Sequence, residues 1–307
     1  MHLDYNKQLA IKAQLLQEIL KHQGIDWQGE VIASPKQKNY RFKANLKLEK
    51  GVIGFNRRHS EEVIKIPECE ILAKPILEAI PKIKIKNLLM GDIPLLASRK
   101  TGQVAGMIQT TRNQHSLPSF HFAVSEDYGF GSMELLAANF VQANPYVTEL
   151  MLEEIHQASQ KSEFAVEIYA GSGTLTLSLA KAVSKVLAFE GNDKAVKRLL
   201  LNLEQQGVNN VECKSEKDEK SKIPPEADLI LVDPPRGGID RMLIERIIQS
   251  QASKIIYMSC NPATQARDLK LLIEKGGFRL EWLKAYDMYC HSSHLETLAL
   301  LVRQEIK

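Results

Sequence analysis

The sequence predicts an α/β fold: an open sheet in the C-terminal part, preceded by an N-terminal α+β domain. Three observations predict it. Beyond residue 160 the apolar runs FAVEIYA (164–170), KVLAFE (185–190), ADLILVD (227–233) and KIIYMSC (254–260) alternate with stretches of helical periodicity. Runs that are apolar throughout mark strands buried on both faces, the signature of a sheet covered by helices. Residues 29–125 instead carry short alternating runs such as RFKANLKL and VIGFNRR, the period of antiparallel strands. A Gly-Ser-Gly turn (171–173) follows the first long apolar run directly, where an open sheet receives a ligand.

Taken in order, residues 7–22 have the spacing of an amphipathic helix, and 72–82 suggest a second helix. Loop signals gather at 112–119 and 125–132, so the domain boundary is expected there: 1–126 as the N-terminal domain, 127–307 as the C-terminal one. Residues 133–160 read as mostly helical. Helices are then expected at 193–206, 240–250 and 263–275, with strands at 210–214 and in the closing FRLEWLKAY and LETLALLVR runs.

The 307 residues suffice for two ordinary domains, and 44% hydrophobic with 25% charged is a globular composition. No run of about 18 apolar residues or secretory leader is visible, so the expectation is a cytoplasmic protein with no membrane association. The four cysteines, Cys69, Cys213, Cys260 and Cys290, are far apart and suggest neither a zinc site nor disulfides. Net charge is +3. Residues 31–65, however, concentrate Lys36, Lys38, Arg41, Lys43, Lys47, Lys50, Arg57, Arg58 and Lys65, with Tyr40, Phe42 and Phe55 between them. That pattern suits either an RNA-binding face with stacking rings or a solvated strand face over ordinary core aromatics.

Gly171 and Gly173 permit a tight turn with close backbone approach to a ligand, and Glu190 closes the next strand, where a carboxylate can accept both ribose hydroxyls of a nucleoside. Thr176 stands where a dinucleotide-binding pattern has its third glycine, which favours adenosylmethionine over a pyrophosphate ligand. Three further motifs fall at or near strand ends: Asp233-Pro-Pro-Arg-Gly-Gly, Ser259-Cys-Asn-Pro-Ala-Thr and His294-Leu-Glu-Thr, with Phe140-Val-Gln-Ala-Asn upstream.

With these motifs in this order, residues 134–303 resemble the RNA (uracil-5-)-methyltransferases, enzymes that modify ribosomal and transfer RNA. SCNPATQARDL followed by DMYCHSSHLETLALL is a long match, and HLDYNKQLAIKAQLL, YRFKANLKL and GFNRRHSEEVIKIPECEIL extend it into the N-terminal half. The resemblance implies a Rossmann-like class I methyltransferase sheet with S-adenosylmethionine as cofactor and RNA as partner. It implies Cys260 as nucleophile and Glu296 as general base. Gln142, Tyr169 and Glu190 then contact the cofactor, and Asp233 stands where cofactor and base meet. Asp233 and Gln142 would read the flipped uracil's edge. Family members often have Asp at position 167 and Cys at 170, where this chain has Glu167 and Ala170; Lys217 stands where an Asp or Asn approaches the adenine. Only Cys69 remains of four cluster cysteines found in many members, so no iron–sulfur cluster is expected.

The chemistry asks independently for these residue types. Uracil C5 is a poor nucleophile until a thiolate adds at C6; the C5 proton must later leave to a base. A crevice position makes Cys260 a candidate for a lowered pKa, and the base must be flipped out to reach it. Cys213 and Cys290 read as structural, and His291 and His294 as orienting loops. Arg41, Arg57 and Arg58 are the expected RNA contacts. The expected substrate is a uridine in ribosomal rather than transfer RNA, and the expected state a monomer. A methyltransferase acting on an exocyclic amine and a silent RNA-binding protein are the competing readings.

Overall fold

The structure, a computed structural model, describes residues 3–85, 89–111, 113–217 and 221–304. The chain forms two compact units: residues 1–35 with 149–307, and residues 36–148. The boundary expected at 126/127 therefore moves, and the first unit is discontinuous in sequence.

In the first unit, helix α1 (Tyr5–Lys21) leads to the two-residue strand β1 (Val31–Ile32). Asp4 caps the helix, its side chain accepting from the amides of Asn6 and Lys7. Leu16 and Leu20 are fully buried in the same apolar cluster as Ile25, Trp27 and Val31 and the sheet residues Val166, Ile230 and Ile255. The indole of Trp27 donates to Leu283 O at 2.8 Å. These contacts explain why the N-terminus belongs to this unit: its apolar stripe completes the core beneath a sheet formed much later in the chain.

The second unit begins with β2 (Lys43–Glu49), β3 (Val52–Asn56), β4 (Val63–Ile64), α2 (Lys74–Ala79) with a following 3-10 turn, β5 (Met90–Ala97), β6 (Val104–Gln109) and β7 (Gln114–Ser116). The strands form one antiparallel sheet in the order β4-β3-β2-β5-β6-β7. Their inward residues Phe42, Leu46, Ile93, Leu95 and Ile108 pack on Ile76 of α2. Strands β8 (Ala123–Asp127) and β9 (Ser132–Leu136) pair as an antiparallel hairpin. The helix expected over 133–160 is thus shorter. Residues 132–136 alternate between half-buried and buried in the hairpin, and cross-strand pairing overrides the helix-forming residues of MELLAAN. The helix itself, α3 (Pro145–Ser159), starts at a proline. Arg112, at the head of the loop signal read over 112–119, lies outside the described residues.

The basic stretch also resolves differently from its RNA-stacking reading. Tyr40 and Phe42 are buried and Phe55 packs on the same core, so these rings are core residues rather than stacking platforms. Lys43 donates to the carbonyls of Ala137 and Asn139, and burial lowers its pKa to about 8.

The first unit continues through β10 (Phe164–Ile168), α4 (Thr174–Ala180), β11 (Lys185–Glu190), α5 (Asp193–Gln205), β12 (Val211–Ser215), β13 (Leu229–Val232), α6 (Arg241–Gln249), β14 (Lys254–Ser259), α7 (Pro262–Gly276), β15 (Phe278–Tyr286) and β16 (Glu296–Arg303). They form one eight-stranded sheet in the order β1-β15-β16-β14-β13-β10-β11-β12. All neighbouring pairs are parallel except those made by β16, which runs against both β14 and β15. The strand order reverses at β10, between β11 and β13, and in open α/β sheets that switch point, at the strands' carboxyl ends, is where ligands bind.

Candidate active site

The turn after β10 is built by backbone conformation. Tyr169 takes φ +70°, Gly171 +57° and Gly173 +93°. A left-handed tyrosine is uncommon and costs about 1–3 kcal/mol, and it turns the chain out of the strand. A Cβ on Gly173 would lie 3.2 Å from Leu199 Cγ, whereas the space over Gly171 is open. Glu190, at the end of the adjacent β11, accepts from Gly171 N at 2.9 Å and from Asn192 N at 2.7 Å. The carboxylate expected to meet a ribose therefore also clamps the glycine turn. Lys217 approaches Gly191 beside it. The residues fit adenosylmethionine: an open glycine turn that leaves room for backbone contact, and a carboxylate at the next strand end with oxygens that can accept hydroxyl donors as well as amides.

Beneath the turn, Glu167 is fully buried, with the Thr176 hydroxyl beside its carboxyl group. Burial, aided by the nearby charges of Asp233 and Glu190 and opposed by the Thr176 hydroxyl, pushes its pKa up to about 8. The same burial pushes half-buried Asp233 up to about 7. Both folded values lie above the unfolded ones. Their contribution to stability is complete below about pH 4 and is lost as pH rises through 7 and 8. Ligand-free protein is expected to lose stability between pH 6 and 8.5. Glu167→Gln should remove a penalty on the order of 4 kcal/mol at pH 8. Urea unfolding at the two pH values checks this; an equal pH-dependent loss in wild type and variant would show that Glu167 does not titrate as described.

The catalytic candidates meet at the ends of β14 and β16. The final pair of that antiparallel ladder is Ser259 with Thr297, and the Thr297 hydroxyl donates to Ser259 O at 3.1 Å. Next along the two chains come Cys260, just after β14, and Glu296, the first residue of β16, near enough for the Glu296 carboxyl group to act on the Cys260 thiol. Glu296 is 1% exposed and its Oε2 has no hydrogen-bond partner among the described residues. Burial first, and then Asp233, raise its pKa well above the carboxylate range; Arg236 opposes. Cys260 is half-buried. Its pKa is also raised, by burial and then by Glu296 and Asp233, with the neighbouring Arg236 guanidinium pulling the other way. The expected lowering of the Cys260 pKa is therefore corrected: the crevice holds two carboxylates next to the thiol and a single arginine.

Two devices hold this constellation. Asn261 caps α7 by accepting from Ala263 N at 3.2 Å, and its Nδ2 donates to Arg236 O at 2.9 Å, tying the SCNPAT loop to the DPPR turn. Behind that turn, fully buried Asp268 accepts from Tyr257 Oη, Ile239 N and Arg267. Gly238 (φ +82°) lies against this cluster; a Cβ there would come within 2.5 Å of Asp268 Oδ2, so only glycine fits. On the other side, Lys12 of α1 is 3% exposed and donates to Asp287 Oδ1 at 2.5 Å, Tyr289 O at 3.1 Å and His294 O at 3.0 Å. The Tyr5 hydroxyl donates to the other Asp287 oxygen at 2.7 Å. This staple fixes the 287–295 loop that delivers Glu296. Sequence reasoning missed Lys12, Tyr5, Asp287 and Asp268. A lysine at one helical position reads as solvent-facing, and nothing local reveals a partner 275 residues away.

Thus the first unit brings together Tyr169, Gly171, Gly173, Glu190, Asp233, Cys260 and Glu296 around one end of its sheet. Gln142, Arg41, Arg57 and Arg58 belong to the other unit. There Gln142 is buried with no partner for its Oε1 among the described residues, Arg41 Nε donates to Lys43 O, and Arg57 pairs with Glu62 in an exposed turn that also carries Arg58. Cys69 packs against the core of that unit. Among the described residues no group of three or more His, Cys, Asp or Glu is placed to hold a metal ion, and no helix is long and apolar enough to cross a membrane.

The chain is 28% identical over 98% of its length to a tRNA (uracil(54)-C(5))-methyltransferase of Pyrococcus abyssi, covering 82% of that protein. It is 27% identical over 98% of its length to a 23S rRNA (uracil(1939)-C(5))-methyltransferase of Aliivibrio fischeri, covering 78%. The solved structure of the Pyrococcus abyssi tRNA (uracil-54, C5)-methyltransferase with S-adenosyl-L-homocysteine shares the fold, with a TM-score of 0.82 over 98% of this chain and 84% of that one at 24% identity. The expected class I methyltransferase sheet is thereby borne out. A family model described as tRNA (uracil-5-)-methyltransferase matches residues 132–220 and 225–304, which include the glycine turn, the DPPR and SCNPAT loops and Glu296. Since that match spans just over half the chain, the protein belongs to the tRNA (uracil-5-)-methyltransferase family.

Proposed function

We propose that this adenosylmethionine-dependent RNA uracil-C5 methyltransferase acts through a covalent bond between Cys260 and C6 of a uridine in ribosomal RNA. The observation that supports the reading is that Cys260 follows the end of β14 while Glu296 opens β16, and the buried Glu296 carboxyl group is among the charges acting on the Cys260 thiol. Addition of the Cys260 thiolate to C6 moves the C5=C6 electron pair toward O4 and makes C5 nucleophilic. When bound, adenosylmethionine supplies the electrophilic methyl group. Glu296 then takes the C5 proton, the C5=C6 bond re-forms and the thiolate leaves. A carboxylate whose pKa is raised by burial is a stronger base once ionised than one in water. Asp233, with Gln142, is assigned to the uracil edge; Tyr169, Glu190 and the glycine turn to the cofactor. Mapping 5-methyluridine in the ribosomal and transfer RNA of cells with and without the gene tests the reading: a site lost from ribosomal RNA on deletion supports it, and no lost site in either RNA sinks it.

Glu190→Ala is expected to weaken adenosylmethionine binding by about 1.5–3 kcal/mol, the value of a charge-assisted hydrogen bond. Calorimetry on variant protein with unchanged circular dichroism provides the check, and an unchanged affinity removes Glu190 from the site. Arg41, Arg57 and Arg58 are assigned to RNA phosphates. The exposed Arg57–Glu62 pair is worth only about 0–1 kcal/mol and is readily exchanged for a phosphate. Each arginine removed should lower the salt slope of RNA binding by about 0.7–0.9. A triple alanine variant with the wild-type slope would place the RNA elsewhere.

A further inference from the structure

Two hollows flank helix α1 in the first unit. One, of about 320 Å³, is lined by Lys12, Leu15, Arg236, Cys260, Asn261 and His294 among others. The second, of about 390 Å³, is lined by Leu3, Gln8, Ile11, Leu15, His291 and Ser292 among others. They share Lys12, Leu15 and Ser293, so a single ridge divides them. Among the described residues neither lining contains an acidic one. Leu15 is 43% and Ile11 44% exposed, an apolar pair one helical turn apart. Lys12 supplies the third shared wall but is committed to Asp287.

We propose that the second hollow is a nucleotide subsite: it takes the base adjacent to the target uridine, with Leu15 as the wedge between the two. The inference rests on the reading of Cys260 as the nucleophile, because Cys260 lines the first hollow and a uracil bonded there borders it. A base that has left its stack leaves a neighbour without a stacking partner. The second hollow lies about one helical turn, roughly 5.4 Å, further along α1. That exceeds the 3.4 Å of stacked bases and suits an unstacked step. Aliphatic side chains are the usual wedges between separated bases. The floor of Leu3, Ile11 and Leu15 offers apolar contact to a base face. The Gln8 amide, held at 3.2 Å from His291 Nδ1, and the Ser292 hydroxyl supply polar groups for a base edge. The absence of carboxylates from both linings favours a polyanion over a basic peptide.

The test is binding of fluorescein-labelled decauridylate by anisotropy. The variants are Ile11→Ser, Ile11→Ser/Leu15→Ser and His291→Ala. The two apolar positions are exposed, so both serine variants are expected to fold and to bind S-adenosylhomocysteine as wild type does. Decauridylate affinity is expected to fall about tenfold in the double variant. Unchanged affinity in all three variants overturns the subsite. So does sedimentation showing that the ridge instead joins two copies of the chain, with wild type dimeric and the double variant monomeric. Failure of the covalent reading is separate: it would appear as 5-methyluridine formed by Cys260→Ala, whatever the ridge variants do.

Discussion

Cys260→Ala is expected to lower 5-methyluridine formation at least about a thousandfold, and Glu296→Gln to accumulate a covalent protein–RNA adduct. The two outcomes differ because the residues act at opposite ends of the sequence of steps. Without the thiolate C5 never becomes nucleophilic, so neither adduct nor product forms. Glutamine keeps the shape of Glu296, and thiolate addition and methyl transfer need no proton acceptor at that position. The C5 proton then has nowhere to go, and the thiolate cannot leave until it does. Denaturing electrophoresis with radiolabelled RNA and methyl donor should show a nuclease-sensitive shifted band in Glu296→Gln and none in Cys260→Ala. Normal turnover by Glu296→Gln would assign the base to another residue. 5-Methyluridine made by Cys260→Ala would mean that C5 is methylated without the covalent adduct.

The electrostatics add a pH dependence to the same step. Both reacting groups must lose a proton, and burial raises the pKa of both, with Asp233 adding to the effect. Single-turnover rates should therefore climb from pH 6 toward pH 9 rather than level off below neutrality. Arg236 is the group that opposes the rise at both, so Arg236→Gln should move the climb to higher pH. A flat profile would mean that bound RNA and cofactor reset the charge balance before chemistry.

Much of this site was legible because its residues follow strands buried on both faces. Each such strand is an apolar run with a clear end, and the polar residue after the run marks the crevice: Glu190 after KVLAF, Asp233 after ADLILV, Cys260 after KIIYMS. Where the signal was weaker than the competing context, the reading failed. Residues 132–136 contain good helix formers, and only their pairing with 123–127 makes them a strand. Tyr40 and Phe42 alternate with Arg41 and Lys43 as an RNA-binding stretch would, yet the same alternation arises when one face of an extended segment is core. The α1–β1 segment is assigned to the catalytic unit by the pairing of Val31 with Ala285, a contact no local pattern contains. The charge environment of Cys260 is of the same kind, since the carboxylates that raise its pKa come from β13 and β16.

The buried Lys12–Asp287 pair leads to the second large effect. Both side chains are out of water, at 3% and 0% exposure, and Lys12 satisfies three acceptors while Tyr5 satisfies the remaining carboxylate oxygen. Lys12→Met keeps the volume and the helix propensity of α1 but leaves Asp287 as a buried charge without its cation. Breaking such a pair from one side costs about 3–5 kcal/mol. Removing both charges in Lys12→Met/Asp287→Asn should cost clearly less than Lys12→Met alone, because the penalty lies in the stranded carboxylate rather than in the lost attraction. Urea unfolding of the three proteins decides it; a single variant within about 1 kcal/mol of wild type would show that water reaches Asp287 at little cost. The same variant separates stability from positioning. Lys12 holds the carbonyls of Tyr289 and His294, and Glu296 lies two residues beyond the second. In folded Lys12→Met protein, kcat should therefore fall more than RNA affinity, since the loop that delivers the base is freed while the RNA contacts assigned to the second unit remain.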